Sequence, residues 1–268
     1  MISLIDSHAH IDLPVYDDDR EAMLGRALAA GVHAIVVIGH NRERWRTSAA
    51  LCARVPWLVR SVGLHPNDAA DWSDALRRDL EAQLEAGGPV AIGETGLDFY
   101  RDSAPEDLQR RAFAAQIEFA QRYELPIIIR QRSAEQPVLE MLREHGPVRG
   151  VMHCFSGDSS FARECVEAGL MLGVGGIATY PKSQDVRDAL ATVPIESLVL
   201  ETDAPYLAPH GWRGKRNEPG HVVVAAEVLA AVHGMTLDAV AKATTVNAIG
   251  LFGASLEAAR LAGMAAAK

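Results

Sequence analysis

Two histidines two positions apart, His8 and His10, are the first residues in this chain able to do chemistry together. In an extended segment, side chains at i and i+2 share a face, so both imidazoles can reach one cation. Four further clusters carry polar groups of the same kind. His65 lies in Gly63-Leu64-His65-Pro66 and Glu94 in Gly93-Glu94-Thr95-Gly96-Leu97-Asp98. His153 opens His153-Cys154-Phe155-Ser156-Gly157, and Asp203 sits in Glu201-Thr202-Asp203-Ala204-Pro205. Neutral imidazole with carboxylate suits Zn, Mn, Fe or Ni, whereas a mostly oxygen set leans toward Mg. An HxH pair alone arises by chance and says little. It gains meaning if His8, His10, Glu94, His153 and Asp203 converge on one point.

Convergence requires a scaffold, and the apolar pattern supplies one. Short runs recur at Ile2–Asp6, Ala34–Ile38, Leu58–Val62, Val90–Gly93, Pro126–Ile129, Gly150–Met152, Met171–Val174 and Ser197–Leu200. They are continuous rather than alternating, as strands buried on both faces of a parallel sheet are. Between them lie segments of helical period: Arg20–Ala30, Asp74–Glu85, Pro105–Tyr123, Ala134–Glu144 and Phe161–Ala168, several closed by Gly. Eight strands alternating with about eight helices predict an α/β chain of the (β/α)8 TIM-barrel class. A doubly wound open sheet is the runner-up. No linker or composition break appears, so residues 1–253 read as one barrel domain, followed by an Ala-rich tail over 254–268 that is either a loose helix or disordered. In a barrel, active groups sit at the C-terminal strand ends. The clusters above fall there, together with Arg130-Gln131-Arg132 after the fifth strand.

Other groups take plainer readings. His33, His145 and His233 lie on or beside helical segments and read as surface or packing residues, and His40 as a solvated loop histidine. His210 and His221 lie in a loop that could overhang the site. Cys154, next to His153, should point away from it and pack as a small hydrophobe. Trp45, Trp57 and Trp72 read as packing residues; Trp212 packs or stacks on a base. Asp17-Asp18-Asp19 solvates a loop and helps start a helix. Arg213, Lys215 and Arg216 place three cations just after the eighth strand, a plausible phosphate clamp.

The 268 residues are 49% hydrophobic and 23% charged, which excludes disordered and fibrous classes. The formal net charge of −9 means that any polyanion must be held by a local site or by bound cations. Three widely spaced cysteines, an N-terminus without a basic or long apolar segment, and no apolar run long enough to span a bilayer predict a cytoplasmic protein that uses no membrane. No obligate protein partner is evident.

The same motifs resemble the TatD-family metal-dependent deoxyribonucleases of the amidohydrolase superfamily. The resemblance runs from Ile5 to about Phe252 through DSHAHID, GLHP, GETGLDFY, HCFSG, ETDAPYLAP, RGKRNEP and TTVNAIGLF. It implies a TIM barrel that hydrolyses DNA phosphodiesters, often as a 3′→5′ exonuclease, with divalent ions such as Mg, Mn or Zn, one or two per chain. It further implies that His8, His10, Glu94 and Asp203 hold the first ion. Glu94 would bridge to a second ion, completed by His153 and one more histidine. His65, Arg132, Arg213 and Lys215 would lie near substrate phosphates, the DNA being single-stranded or offered as 3′ ends.

The further histidine is missing: where the family has LPIIIHSRDA, this chain has LPIIIRQRSA, with Arg130 at the ligand position. Guanidinium has no lone pair to give. At about 4 Å and an effective dielectric near 20, a +1/+2 pair repels by roughly 8 kcal/mol. Three outcomes are open: one ion with Arg130 acting on the phosphate, a weak second ion, or impaired or redirected catalysis. The first is favoured, with Asp203 accepting the proton of an activated water and Arg130 and Glu94 completing the catalytic set. The alternatives are a hydrolase of a small ester, lactone or amide, and a binding protein on a decayed site.

Overall fold

Each apolar run becomes a strand, and the strands pair in chain order. The computed structural model describes residues 2–268. Its strands are β1 Leu4–Ala9, β2 Val32–Val37, β3 Leu58–Val62, β4 Pro89–Asp98, β5 Ile127–Arg132, β6 Gly150–Met152, β7 Leu170–Val174 and β8 Leu198–Leu200. All seven neighbouring pairs are parallel. The helices are α1 Arg20–Ala29, α2 Arg42–Arg54, α3 Asp74–Glu85, α4 Glu106–Arg122, α5 Glu135–His145, α6 Ser159–Glu167, α7 Gln184–Ala191, α8 Val222–His233, α9 Leu237–Phe252 and α10 Ala254–Ala266. The chain is therefore a (β/α)8 barrel.

β1 and β8 close the ring just beyond the end of β8. His10 N donates to Ala204 O at 2.7 Å, and Asp203 N donates to His8 O at 2.9 Å. The buried Asp6 carboxylate reinforces this seam by accepting from Thr202 N at 3.0 Å and Thr202 Oγ1 at 2.6 Å.

Strands β1, β4 and β5 run further toward the mouth than the apolar runs predict, because pairing continues through the polar residues. Along β1, Asp6 pairs with Ile35 and Ala9 with Val37, so β1 carries one extra residue at Ser7-His8. Along β4, Ile92 pairs with Ile127 and Thr95 with Ile129, an extra residue at Gly93-Glu94. A bulge of this kind re-aims a side chain. Gly93, at φ +131°, is what lets β4 press on β5: a Cβ there would lie 2.5 Å from Ile128 O.

Two apolar clusters occupy opposite faces of the sheet. One lies beneath the helices. The other takes Ile5, Ala34, Val36, Val59, Ala91, Ile128, Val151 and Val199 from the strands, with Leu251, Phe252, Leu256 and Ala259 from α9 and α10. Thr245 bonds to Ser3 O, Asn247 to Ile195 O and Leu198 O, and Arg149 to Leu251 O, so these helices cover the N-terminal strand ends. The Ala-rich segment is thus neither loose nor disordered but an ordered stopper, with Leu256 and Ala259 in the core. Its small residues let it lie against β2.

His33 also differs from expectation: it sits within β2, buried, with Nδ1 3.0 Å from Ser3 Oγ. Asp19 precedes α1 without capping it; its carboxylate instead accepts from Arg216 at 2.7 and 2.8 Å. No single helix among the described residues is long and apolar enough to cross a bilayer.

Candidate active site

At the C-terminal end of the barrel the bulged strands deliver their side chains to one point. His8 Nε2 lies 3.2 Å from His10 Nε2 and 3.4 Å from Glu94 Oε2. His10 Nε2 lies 3.7 Å from Glu94 Oε2 and 3.4 Å from Asp203 Oδ1, and His8 Nε2 lies 3.7 Å from Asp203 Oδ1. A tetrahedron with donors about 2.1 Å from its centre has edges of about 3.4 Å, the span of a Zn-like site. Burial pushes His8 down to about 4, so its ring is neutral at pH 7. Two imidazole nitrogens this close, beside two carboxylate oxygens, are the donor set of a divalent cation. These residues fit the metal that the motifs imply.

His153 lies behind this set, its ring stacked on that of His8 with centroids 3.4 Å apart. Burial alone would lower its pKa; the Glu201 carboxylate, 2.9 Å from Nδ1, overrides this and holds it up near about 9. With the Nδ1 side tied to Glu201, Nε2 faces Asp203 Oδ1 at 3.8 Å and Glu94 Oε1 at 3.9 Å. Despite burial, Glu94 stays well below the usual carboxylate range, held there by His65 and His8. Asp203 is likewise held down by His10, His153 and His8, against its burial. Asp203 sits in the left-handed region at φ +57°, the kind of strain that collects at functional sites.

A cavity of about 780 Å³ opens over these groups. His65, Arg101, Arg130, Arg132 and Tyr206 line it with His10, Glu94 and Asp203. Arg132 stacks on Tyr100, its guanidinium carbon 3.9 Å from the ring centroid. His65 is held by its own turn, Nδ1 accepting from Asn67 N at 3.0 Å. The Gln116 amide of α4 fixes the approach to that turn, bonding Leu64 N at 2.7 Å, Leu64 O at 3.1 Å and Thr95 Oγ1 at 2.6 Å.

Several residues stand elsewhere than expected. Cys154 does not point away: at φ +54° it leaves the strand alternation and lines the cavity, its N donating to Glu201 Oε1 at 2.6 Å. Burial raises its thiol well above the ordinary range. His40 is no solvated loop residue. It lines the cavity with its ring 5.0 Å from that of His10, because backbone pairing continues past β2 through His65 N to His40 O. Arg213 and Lys215 are exposed and do not line the cavity; Arg213 lies over Tyr180 at 5.0 Å. Arg216, engaged by Asp19, stacks on Tyr16. His221 Nδ1 donates to Asn217 Oδ1 at 2.9 Å, and Trp212 leans on its ring. Glu201, Arg101, Tyr206 and Asp6 also belong to the site or its seam, and ligand spacing alone does not single them out. Glu201 carried a signal, since it stands two residues before Asp203.

The description "TatD related DNase" matches residues 5–253. A Bacillus subtilis protein described as the uncharacterized metal-dependent hydrolase YabD is 39% identical over 93% of this chain and 98% of its own length. The 3′-5′ ssDNA/RNA exonuclease TatD of Salmonella typhimurium is 34% identical over 87% of this chain and 93% of its own. The crystal structure of YJJV, a TatD homolog from Escherichia coli, superposes with a TM-score of 0.89 at 35% identity, covering 93% of this chain and 97% of that one. By motif, fold and full-length kinship, the chain belongs to the TatD-related DNase family of metal-dependent hydrolases.

Proposed function

We propose that this chain hydrolyses phosphodiester bonds of DNA, removing nucleotides from the 3′ end of a single strand. The observation that carries this reading is the meeting of two unlike surfaces in one open cavity. His8, His10 and Glu94 cluster as cation donors with Asp203 3.4 Å from His10, and Arg101, Arg130 and Arg132 line the same cavity. An acidic chain gains nothing from gathering three guanidiniums beside a metal centre unless the substrate is anionic there. Relatives described as 3′-5′ ssDNA/RNA exonucleases support the polarity.

His8, His10, Glu94 and Asp203 would hold a divalent ion, with His153 beside them. When bound, such an ion supplies Lewis acidity toward a phosphoryl oxygen and acidifies water. Asp203, ionised at neutral pH, takes the proton of the attacking water. His65 and Arg132 orient the phosphate from the cavity wall, and charge developing on it is met by Arg130. Arg213 and Lys215, outside the lining, guide the strand beyond the scissile bond.

Digestion of 3′- and 5′-labelled single-stranded DNA with Mg²⁺ or Mn²⁺, and with EDTA, tests the proposal. Stepwise shortening from the 3′ end that EDTA abolishes is the expected result. Folded, metal-loaded protein that leaves both substrates intact would overturn it and favour a small ester or amide.

A further inference from the structure

The two oxygens of Glu94 face different surroundings. Oε2 looks onto His8 and His10 at 3.4 and 3.7 Å. Oε1 faces His65 Nε2 at 3.5 Å, His153 Nε2 at 3.9 Å and Arg130 Nη1 at 4.0 Å. The Asn67 amide donates to His65 Nδ1, so a neutral His65 ring carries its proton on Nε2. That nitrogen turns a hydrogen, not a lone pair, toward Glu94. Arg130 does the same with a permanent charge, because guanidinium is never a ligand and does not deprotonate in proteins. Only in its neutral form, with the Nδ1 proton turned to Glu201, does His153 offer this side one imidazole lone pair, against the two N–H donors.

We propose that this chain binds one divalent ion, among His8, His10, Glu94 Oε2 and Asp203, and that Arg130 is the fixed positive charge on the Oε1 side in place of a second ion. The inference rests on the reading of the site as a metal centre. Arg130 is held where such a charge is useful. It lines the cavity, and its Nε is buried without a hydrogen-bond partner. Its side chain keeps 19% exposure there, so the guanidinium can meet an anionic group entering the cavity. A substrate phosphate would then meet an ion on one flank and a directional N–H donor on the other. Unlike an exchangeable ion, that donor cannot be removed by chelation.

Titration of chelator-treated protein with Mn²⁺, followed by calorimetry and electron paramagnetic resonance, decides the matter without reference to activity. The unaltered protein should take up one equivalent and show the resolved hyperfine pattern of an isolated ion. Arg130→His, which exchanges the charge for a ligand, should take up two equivalents, with that pattern lost to coupling between neighbouring ions. Two equivalents with a coupled spectrum in the unaltered protein would overturn the proposal. So would one equivalent in a folded Arg130→His variant, since something other than Arg130 would then exclude the second ion. No uptake at all would overturn the metal-centre reading and this inference with it, an outcome distinct from the other two. If Arg130→His does not fold, the stoichiometry of the unaltered protein decides alone.

Discussion

Glu201 Oε1 stands 2.9 Å from His153 Nδ1 and accepts the Cys154 amide at 2.6 Å, so a single oxygen orients the imidazole and anchors the turn that follows it. His153 stacks on His8, so the carboxylate that fixes the His153 ring also fixes the packing of a residue that would hold the ion. Glu201→Gln keeps the shape and removes the charge. Metal affinity should fall about 10- to 100-fold while circular dichroism is unchanged, a combination that titration of the apo variant can check.

The space for Glu201 comes from a missing side chain. A Cβ on Gly173 in β7 would lie 2.3 Å from Glu201 Oε2. Gly173→Ala should therefore destabilise the fold by about 1–3 kcal/mol and also weaken metal binding, because the carboxylate must move. Denaturant unfolding with and without Mn²⁺ separates the two effects. A variant as stable as the parent would show that the site yields more readily than its packing suggests.

Asp203 is the only one of the donor residues proposed both to hold the ion and to take a proton. Asp203→Asn preserves the backbone and removes the basic oxygen. Turnover should drop by at least about a hundredfold, with little change in melting temperature. Near-normal rates in end-labelled DNA digestion would reassign the base.

His8 Nε2 and His10 Nε2 stand 3.2 Å apart, so an ion would bind a pair already in place. Saturating Mn²⁺ at a hundred times its dissociation constant should stabilise the apo protein by about 2.7 kcal/mol, a rise of roughly 5 °C or more in Tm. A thermal melt that ignores added Mn²⁺ would argue against a preformed site.

Acid should loosen the α1 junction. Asp19 is held down to about 2, chiefly by the hydrogen bonds from Arg216, from an ordinary value of 3.8. A carboxylate depressed in the folded state contributes its stability above the ordinary value and loses it as pH falls from about 4 to about 2. The difference in Tm between the parent and Asp19→Asn should accordingly be constant above pH 5 and shrink to nothing near pH 2. A difference that persisted at pH 2 would mean that the ionised carboxylate contributes little.

The strand count, their order and the positions of His8, His10, Glu94, His153 and Asp203 at strand ends were legible because continuous apolar runs punctuated by polar clusters have few other solutions. What stayed hidden depends on backbone detail that periodicity does not carry. The bulges at Ser7-His8 and Gly93-Glu94 change which face a residue occupies. The left-handed turn at Cys154 brings its side chain to the side of its neighbour, against simple alternation. His40 looked like a loop residue because pairing beyond β2 runs through main-chain atoms, which any residue can supply. The basic loop was visible as charge, yet its division into Arg216, engaged by Asp19, and the exposed Arg213 and Lys215 required the distant partner. Ala254–Ala266 read as a tail because alanine and glycine give little apolar signal, although a close-packed stopper needs small residues.

The seam between β1 and β8 is fastened by the very residues that carry the ligands: His8 O accepts from Asp203 N, and Asp6 is clasped by Thr202. The ring therefore has a clasp, and the clasp lies at the proposed ion site. Any fluctuation that parts these two strands scatters His8 from Asp203 in the same motion. A cation seated there would act as a rivet across the joint. Amide exchange at His10 and Asp203 then becomes a gauge of occupancy, slow when the rivet is in place and fast when it is drawn.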